Sequence, residues 1–191
     1  MTVLTLLILP QISQSFAASV NWDGGGDGTD WFDPNNWSSD ELPLGSDDVT
    51  IDGNANVALS SQFLIDSGSL TIKEGSSLFM TEESPVVLLG VGGLLTNNGT
   101  ITISNEVDVT GTLINNGNII IESDFEDAAS QIFVVDEQGV LINNGNIQVM
   151  ANAGLENFNL LTNLGNITIE SDGRYQNGYN TTNGAVFTVR E

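Results

Sequence analysis

The chain has 191 residues, no cysteine and no histidine, and only three basic residues, Lys73, Arg174 and Arg190, against 25 acidic ones. Without cysteine there is no disulfide framework and no thiol nucleophile, and without histidine there is no Ser-His-Asp triad. The common zinc sites need one or both of those residue types. A single lysine leaves little room for Schiff-base or Ser-Lys chemistry. The formal net charge of −22 sets the chain against phosphate-rich partners, because nucleic-acid binding needs clustered Lys and Arg. Anionic membrane surfaces are disfavoured for the same reason. Uncharged glycans, divalent cations and basic surfaces are easier partners.

What is present is apolar enough to fold. Hydrophobic residues make up 40% of the chain and charged residues only 15%, so the acidity reflects missing cations more than crowded anions. Disorder requires low hydrophobicity together with high charge, a combination this chain lacks. At this length one domain is expected. Val3 to Leu9 is a short apolar run, too short to span a bilayer, followed by Pro10 and small residues up to Ala17. Residues 1–17 read as a secretory signal peptide cleaved after Ala17, although no Lys or Arg precedes the apolar run. A buried N-terminal strand is the other reading of that segment.

Internal repetition dominates the remainder. Gly93 to Ile103 reads GLLTNNGTITI, Gly111 to Ile121 GTLINNGNIII, Gly139 to Val149 GVLINNGNIQV, and Asn159 to Ile169 NLLTNLGNITI; a weaker copy, TTNGAVFTV, begins at Thr181. Gly99, Gly117, Gly145, Gly165 and Gly184 follow one another at spacings of 18, 28, 20 and 19. The long interval points to an inserted, acidic, outward loop at 123–131. In each copy Leu and Ile alternate with Thr, Asn or Gln, the period of a strand with one buried face. Asn and Gly enter left-handed backbone most cheaply, so Asn-Asn-Gly is expected to be a tight corner in that conformation.

An antiparallel meander competes with a coil here, because Asn-Gly is also a strong hairpin signal. Recurrence of the same letters at the length of one solenoid turn favours the coil. In a parallel β-helix equivalent residues stack ~4.8 Å apart, so Asn97, Asn115, Asn143 and Asn163 would form an amide ladder and the Ile residues an apolar spine. The expected fold is all-β, a single-stranded right-handed parallel β-helix over residues 48–191. At about 20 residues per turn it has about seven coils and is ~34 Å long. Weaker segments such as DVTID at Asp48 and GSLTI at Gly68 belong to it.

All three tryptophans, Trp22, Trp31 and Trp37, fall in residues 18–47. A solenoid exposes an open edge and an apolar interior at its end, so this stretch reads as an N-terminal cap. A sugar-binding patch of tryptophan faces is the alternative. The string WDGGGDGTDWFDPNNW from Trp22, followed by Leu42-Pro43 and DDVTI, resembles the head of secreted microbial β-helix proteins of the adhesin-like kind. The resemblance implies a rod at a cell surface or in extracellular matrix, with a structural or adhesive role and surface components as partners. GGDGTDWFD from Gly25 also fits the nonapeptide of calcium-binding β-rolls, with Asp23, Asp27, Asp30 and Asp33 as candidate ligands of a cap-stabilising calcium ion.

Parallel β-helices also carry polysaccharide lyases and glycosidases, so a carbohydrate-active enzyme or glycan-binding module is the rival reading. The three basic residues are scattered, and an acidic glycan would meet a negative surface. Hydrolysis needs only two carboxylates about 5–9 Å apart, for which Glu122 with Glu170, the loop acids Asp124, Glu126 and Asp127, and the pair Asp136 and Glu137 are the candidates. Nothing in the sequence separates them from ordinary surface charge, so no catalytic residue is assigned. Of four Asn-X-Ser/Thr sequons, those at Asn98 and Asn166 fall in the expected ladder, which leaves Asn36 and Asn180 as acceptors. The final strand-like segment Phe187–Val189 has no aromatic cap after it, and an uncapped coil would invite self-association through its open edge, which light scattering at rising concentration tests.

Overall fold

The computed structural model describes residues 17–81, 86–104, 106–122, 133–178, 180–183 and 187–189, with backbone alone for 86–88, 180–183 and 187–189. Residues 1–16 of the expected signal peptide, the 123–131 stretch with Asp124, Glu126 and Asp127, the glycine at 184 and Arg190 lie outside them. The chain forms a parallel β-solenoid with three sheets around one core.

The alternation of apolar and polar residues becomes strands of three or four residues, and each strand joins the equivalent strand of the next coil. After β1 (Ser19–Asn21), β2 (Asp48–Ile51) and β3 (Asn56–Leu59) begin the first two sheets. Three-sided coils follow. The first is β4 (Ser69–Ile72), β5 (Ser77–Met80) and β6 (Val86–Leu89); the second is β7 (Leu94–Asn97), β8 (Thr100–Ile103) and β9 (Val107–Val109). The third is β10 (Thr112–Asn115), β11 (Asn118–Ile121) and β12 (Phe133–Val135), and the fourth β13 (Val140–Asn143), β14 (Asn146–Val149) and β15 (Gly154–Asn157). The fifth is β16 (Leu160–Asn163), β17 (Asn166–Ile169) and β18 (Arg174–Asn177), after which β19 (Asn180–Asn183) and β20 (Phe187–Val189) begin another.

Sheet one therefore runs β1-β2-β4-β7-β10-β13-β16-β19, sheet two β3-β5-β8-β11-β14-β17-β20 and sheet three β6-β9-β12-β15-β18. All strand pairs are parallel, and among the described residues the one antiparallel bridge is Trp22↔Trp37. The meander is thereby excluded. Complete turns number about five rather than seven. Dividing length by repeat counts the end windings as whole, but β2–β3 has only the Ile65↔Leu89 bridge on its third side and β19–β20 carries no described third strand.

The second and fourth residues of the sheet-one and sheet-two strands point inward. Leu70, Leu95, Leu113, Leu141 and Leu161 stack in one fully buried row, and Ile101, Ile119, Ile147 and Ile167 in another. Each buried Leu or Ile contributes about 1.5–3 kcal/mol by leaving water.

The stretch before β2 closes the start of this stack. β1 pairs in parallel with β2, extending sheet one, while Trp31 N donates to Ala58 O and Ala58 N to Thr29 O, extending sheet two. The strand edge at the start of the stack is thus paired on two of three sides. Trp31 and Trp37 are fully buried and Trp22 nearly so, packed edge-to-face with ring centroids 4.8 and 4.9 Å apart; Trp31 also meets Phe63 at 4.7 Å. The faces of Trp31 and Trp37, buried in this way, offer no platform for sugar rings.

Candidate functional site

Two arrangements carry most of the chemistry: the corner between sheets one and two, and the head. At the corner the last residue of each sheet-one strand turns inward, so Asn97, Asn115, Asn143 and Asn163 are all fully buried. Asn97 Nδ2 donates to Asn115 Oδ1 at 2.8 Å, Asn115 Nδ2 to Asn143 Oδ1 at 2.7 Å and Asn143 Nδ2 to Asn163 Oδ1 at 2.7 Å. The second amide hydrogen reaches the next coil's sheet-two strand, at Asn118 O, Asn146 O and Asn166 O, 2.9–3.0 Å away. Asn163 Nδ2 has no partner among the described residues, and Asn183 stands in register above it. A buried amide is tolerable only when bonded, and this ladder bonds it while locking neighbouring coils together.

Two further ladders run outside. Asn144 donates to Asn116 and Asn116 to Asn98, at 2.8 and 2.9 Å; Asn166 donates to Asn146 and Asn146 to Asn118, both at 3.0 Å. Donation runs up the stack inside and down it outside.

The corner glycines are required for a reason other than the one expected. Gly99, Gly117, Gly145 and Gly165 are not left-handed; positive φ occurs instead at Gly24, Gly28, Gly53 and Gly75. A Cβ on Gly117 would run into Gly99 O, one on Gly145 into Gly117 O and one on Gly165 into Gly145 O. The stack brings each backbone so close to the last that a hydrogen is all that fits.

The head is organised by Asn36, a fully buried side chain. Its Oδ1 accepts from Gly26 N and Gly28 N at 3.0 and 2.8 Å, and its Nδ2 donates to Asp27 Oδ1 and Asp30 O, both at 2.9 Å. All four bonds of the amide are used, so Asn36 is not an accessible glycan acceptor. The carboxylates around it cap backbone turns. Asp27 Oδ1 also accepts from Thr29 N and Asp30 N at 2.8 Å, Asp33 from Asn35 and Asp27 N, Asp30 from Phe32 N and Asp23 from Gly25 N. Bonds from the Asp30 and Thr29 backbone and the Asn36 side chain hold the Asp27 carboxyl down at about 2, and those from Asn35 and Asp27 N lower Asp33.

Among the described residues no group of three or more acidic side chains converges as a metal site. Calcium takes six to eight oxygens, and here each candidate carboxylate has at least one oxygen already engaged by an N–H group. As arranged, the four aspartates cap backbone turns. A fifth acid, Asp47, does comparable work: its Oδ1 and Oδ2 accept from Ala18 N and Leu44 N at 3.1 and 2.8 Å, tying β1 to the loop before β2. Between head and solenoid lies an open cleft of about 580 Å³ lined by Trp22, Asp23, Gly24, Gly28, Asp52, Gly53 and Ala55.

From β7 onward the described acids occupy one side of the rod. From β7 to β17 the outward positions of sheets one and two hold only Leu, Val, Ile, Thr, Asn and Gln, among them Leu94, Thr96, Ile114, Ile142, Asn118 and Gln148. Over the same coils the described carboxylates of Glu106, Asp108, Glu122, Asp136, Glu137, Glu156, Glu170 and Asp172 lie on sheet three or the corners beside it. Burial, and then the neighbouring Asp136 carboxylate, push the Asp108 carboxyl up. Glu122 and Glu170 each follow a sheet-two strand, with Met150 at the equivalent point of the coil between them, so they sit about 10 Å apart. Ser104 Oγ donates to Glu122 and Gln148 Nε2 to Glu170, at 3.0 and 3.1 Å. Lys73 follows β4 and Arg174 opens β18, four coils or ~19 Å up the stack, so they share no site.

The chain matches no family model, no curated protein and no solved structure. Among the described residues no helix is long and apolar enough to cross a membrane.

Proposed function

We propose that the protein is a non-enzymatic extracellular rod of the structural or adhesin-like kind, exported by its N-terminal leader. The observation that carries this reading is the partition of charge from β7 to β17: the strands of two sheets present an uncharged, regularly repeating surface while the described acids gather on the third sheet and the corners beside it. A flat face of Thr, Asn and aliphatic side chains suits an uncharged, hydroxyl-rich surface such as a neutral matrix glycan. The acidic side repels anionic surfaces and keeps the rod from collapsing onto copies of itself. The ladders and packed core supply rigidity, so the mechanism is passive display.

Retention on insoluble neutral polysaccharides, with no soluble sugar released, is the expected result in a binding and turnover panel. Release of sugar would overturn the passive reading. Amino-terminal sequencing of secreted material tests export, which predicts a mature chain beginning near Ala18. One observation favours the rival, a carbohydrate-active enzyme: Asp108 carries a raised carboxyl beside Asp136, the combination of a proton donor and a second carboxylate. That rival predicts activity abolished by Asp108→Asn.

A further inference from the structure

Three outer-ladder asparagines, Asn98, Asn116 and Asn144, are each followed by glycine. An Asn-Gly step is chemically fragile. The glycine nitrogen can attack the asparagine Cγ, the Cγ–Nδ2 bond breaks, and ammonia leaves with a five-membered imide behind. Water then opens the imide at either carbonyl, giving aspartate or isoaspartate. The reaction needs the glycine N–H to be released from its hydrogen bond and the corner to swing. Replacing the glycine is no escape, because the stack admits no Cβ there.

The three steps differ in what holds that nitrogen. Gly117 N donates to Asn97 O at 3.1 Å and Gly145 N to Asn115 O at 3.0 Å, backbone carbonyls of the preceding coil. Freeing either requires two coils to separate. Gly99 N donates instead to Asn97 Oδ1 at 3.1 Å, a side chain two residues back in the same corner. Releasing it takes a movement of the Asn97 side chain, which gives up that residue's two ladder bonds but leaves the backbone bonds between the coils in place. The product is also accommodated differently. In the ladder Asn98 accepts from Asn116 Nδ2, which a carboxylate does equally well. Asn116 must donate to Asn98 as well as accept from Asn144, so a carboxylate there loses a bond and faces an oxygen.

We propose that, of these three ladder steps, Asn98–Gly99 is the one that deamidates in the folded rod, and that stacking closes Asn116–Gly117 and Asn144–Gly145 to the same chemistry. Exposure alone ranks them the other way, since Asn116 and Asn144 are exposed and Asn98 half-buried. The test is isoaspartate detection and peptide mapping of the full folded chain, aged in mildly alkaline buffer, beside a sample aged in denaturant. In the folded sample Asn98 is expected to convert at least about tenfold faster than the other two, and in denaturant all three at similar rates. Equal rates in the folded chain, faster conversion at Asn116 or Asn144, or no conversion at Asn98 would each overturn the proposal. A second arm uses variants: Asn98→Asp is expected to keep the wild-type melting temperature and Asn116→Asp to lose several degrees. An equal loss in both would contradict the ladder argument.

Discussion

The passage from sheet one to sheet two is made in two ways along the same rod. In the first windings it takes four residues, Asp52-Gly53-Asn54-Ala55 and then Lys73-Glu74-Gly75-Ser76, with left-handed backbone at Gly53, Asn54 and Gly75. The inward residue before each turn is apolar, Ile51 and Ile72. From β7 onward the same row, in unbroken register, switches to Asn97, Asn115, Asn143 and Asn163, and the corner shrinks to two residues with no left-handed glycine. A buried amide that bonds both to its counterpart and to the next coil replaces what the longer, charged corner achieves with unusual backbone angles. Early corners are conformational devices, whereas later ones are cooperative and depend on every neighbour.

That contrast is easiest to break at the glycines. Gly117→Ala forces a Cβ against Gly99 O and is expected to cost about 3–5 kcal/mol or prevent folding. Gly53→Ala meets nothing within 4 Å and pays only left-handed strain, about 1–2 kcal/mol. Urea denaturation of both variants measures the difference, and equal costs would erase the distinction. Next in size is Asn115→Leu, which removes one of the two acceptors of Asn97 Nδ2 and the Asn115 donor to Asn143 Oδ1, and is expected to cost about 2–4 kcal/mol. Ile72→Val, in the apolar part of the row, should cost about 0.5–1.5 kcal/mol.

Acid separates head from rod. Asp27 and Asp33 are held below their ordinary 3.8, Asp27 at about 2, so their contribution is complete above 3.8 and is lost as pH falls from there toward 2. Tryptophan fluorescence reports the head alone, because all three tryptophans lie in it, and it should change in that interval. Asp27→Asn should remove much of the pH dependence, and a chelator should leave the signal unchanged at neutral pH. The smallest effect is of opposite sign. Asp108 is raised above 3.8, so its charge opposes folding at neutral pH and the opposition is relieved as pH falls through its folded value. Asp108→Asn should therefore raise the melting temperature slightly at neutral pH, with the gain fading by pH 3.8.

The parallel stack and its inner ladder are legible in the letters because stacking demands identity: an amide bonds best to an amide at the same height. The third strand leaves no such mark, since VDV, FVV, GLEN and RYQN share no side chain that must match. The glycine at the corner is legible but its cause is not, because closeness between coils leaves no local signature. Asn36 looked like a sequon; nothing in a loop's spacing reveals that its amide will meet four partners. The turn capping by the acidic nonapeptide is not legible, because Asx-turn capping and ion ligation select the same residues.

With no native cysteine, pairs of spin labels can be placed at will on the outer row of sheet one, which runs Thr50, Thr71, Thr96, Ile114, Ile142 and Thr162 in register. Labels at Thr50 with Ile142 and at Thr50 with Thr162 should lie about 19 and 24 Å apart by backbone, one strand spacing between the two pairs. Distances that fail to lengthen by that single step would mean the windings do not lie one upon the next.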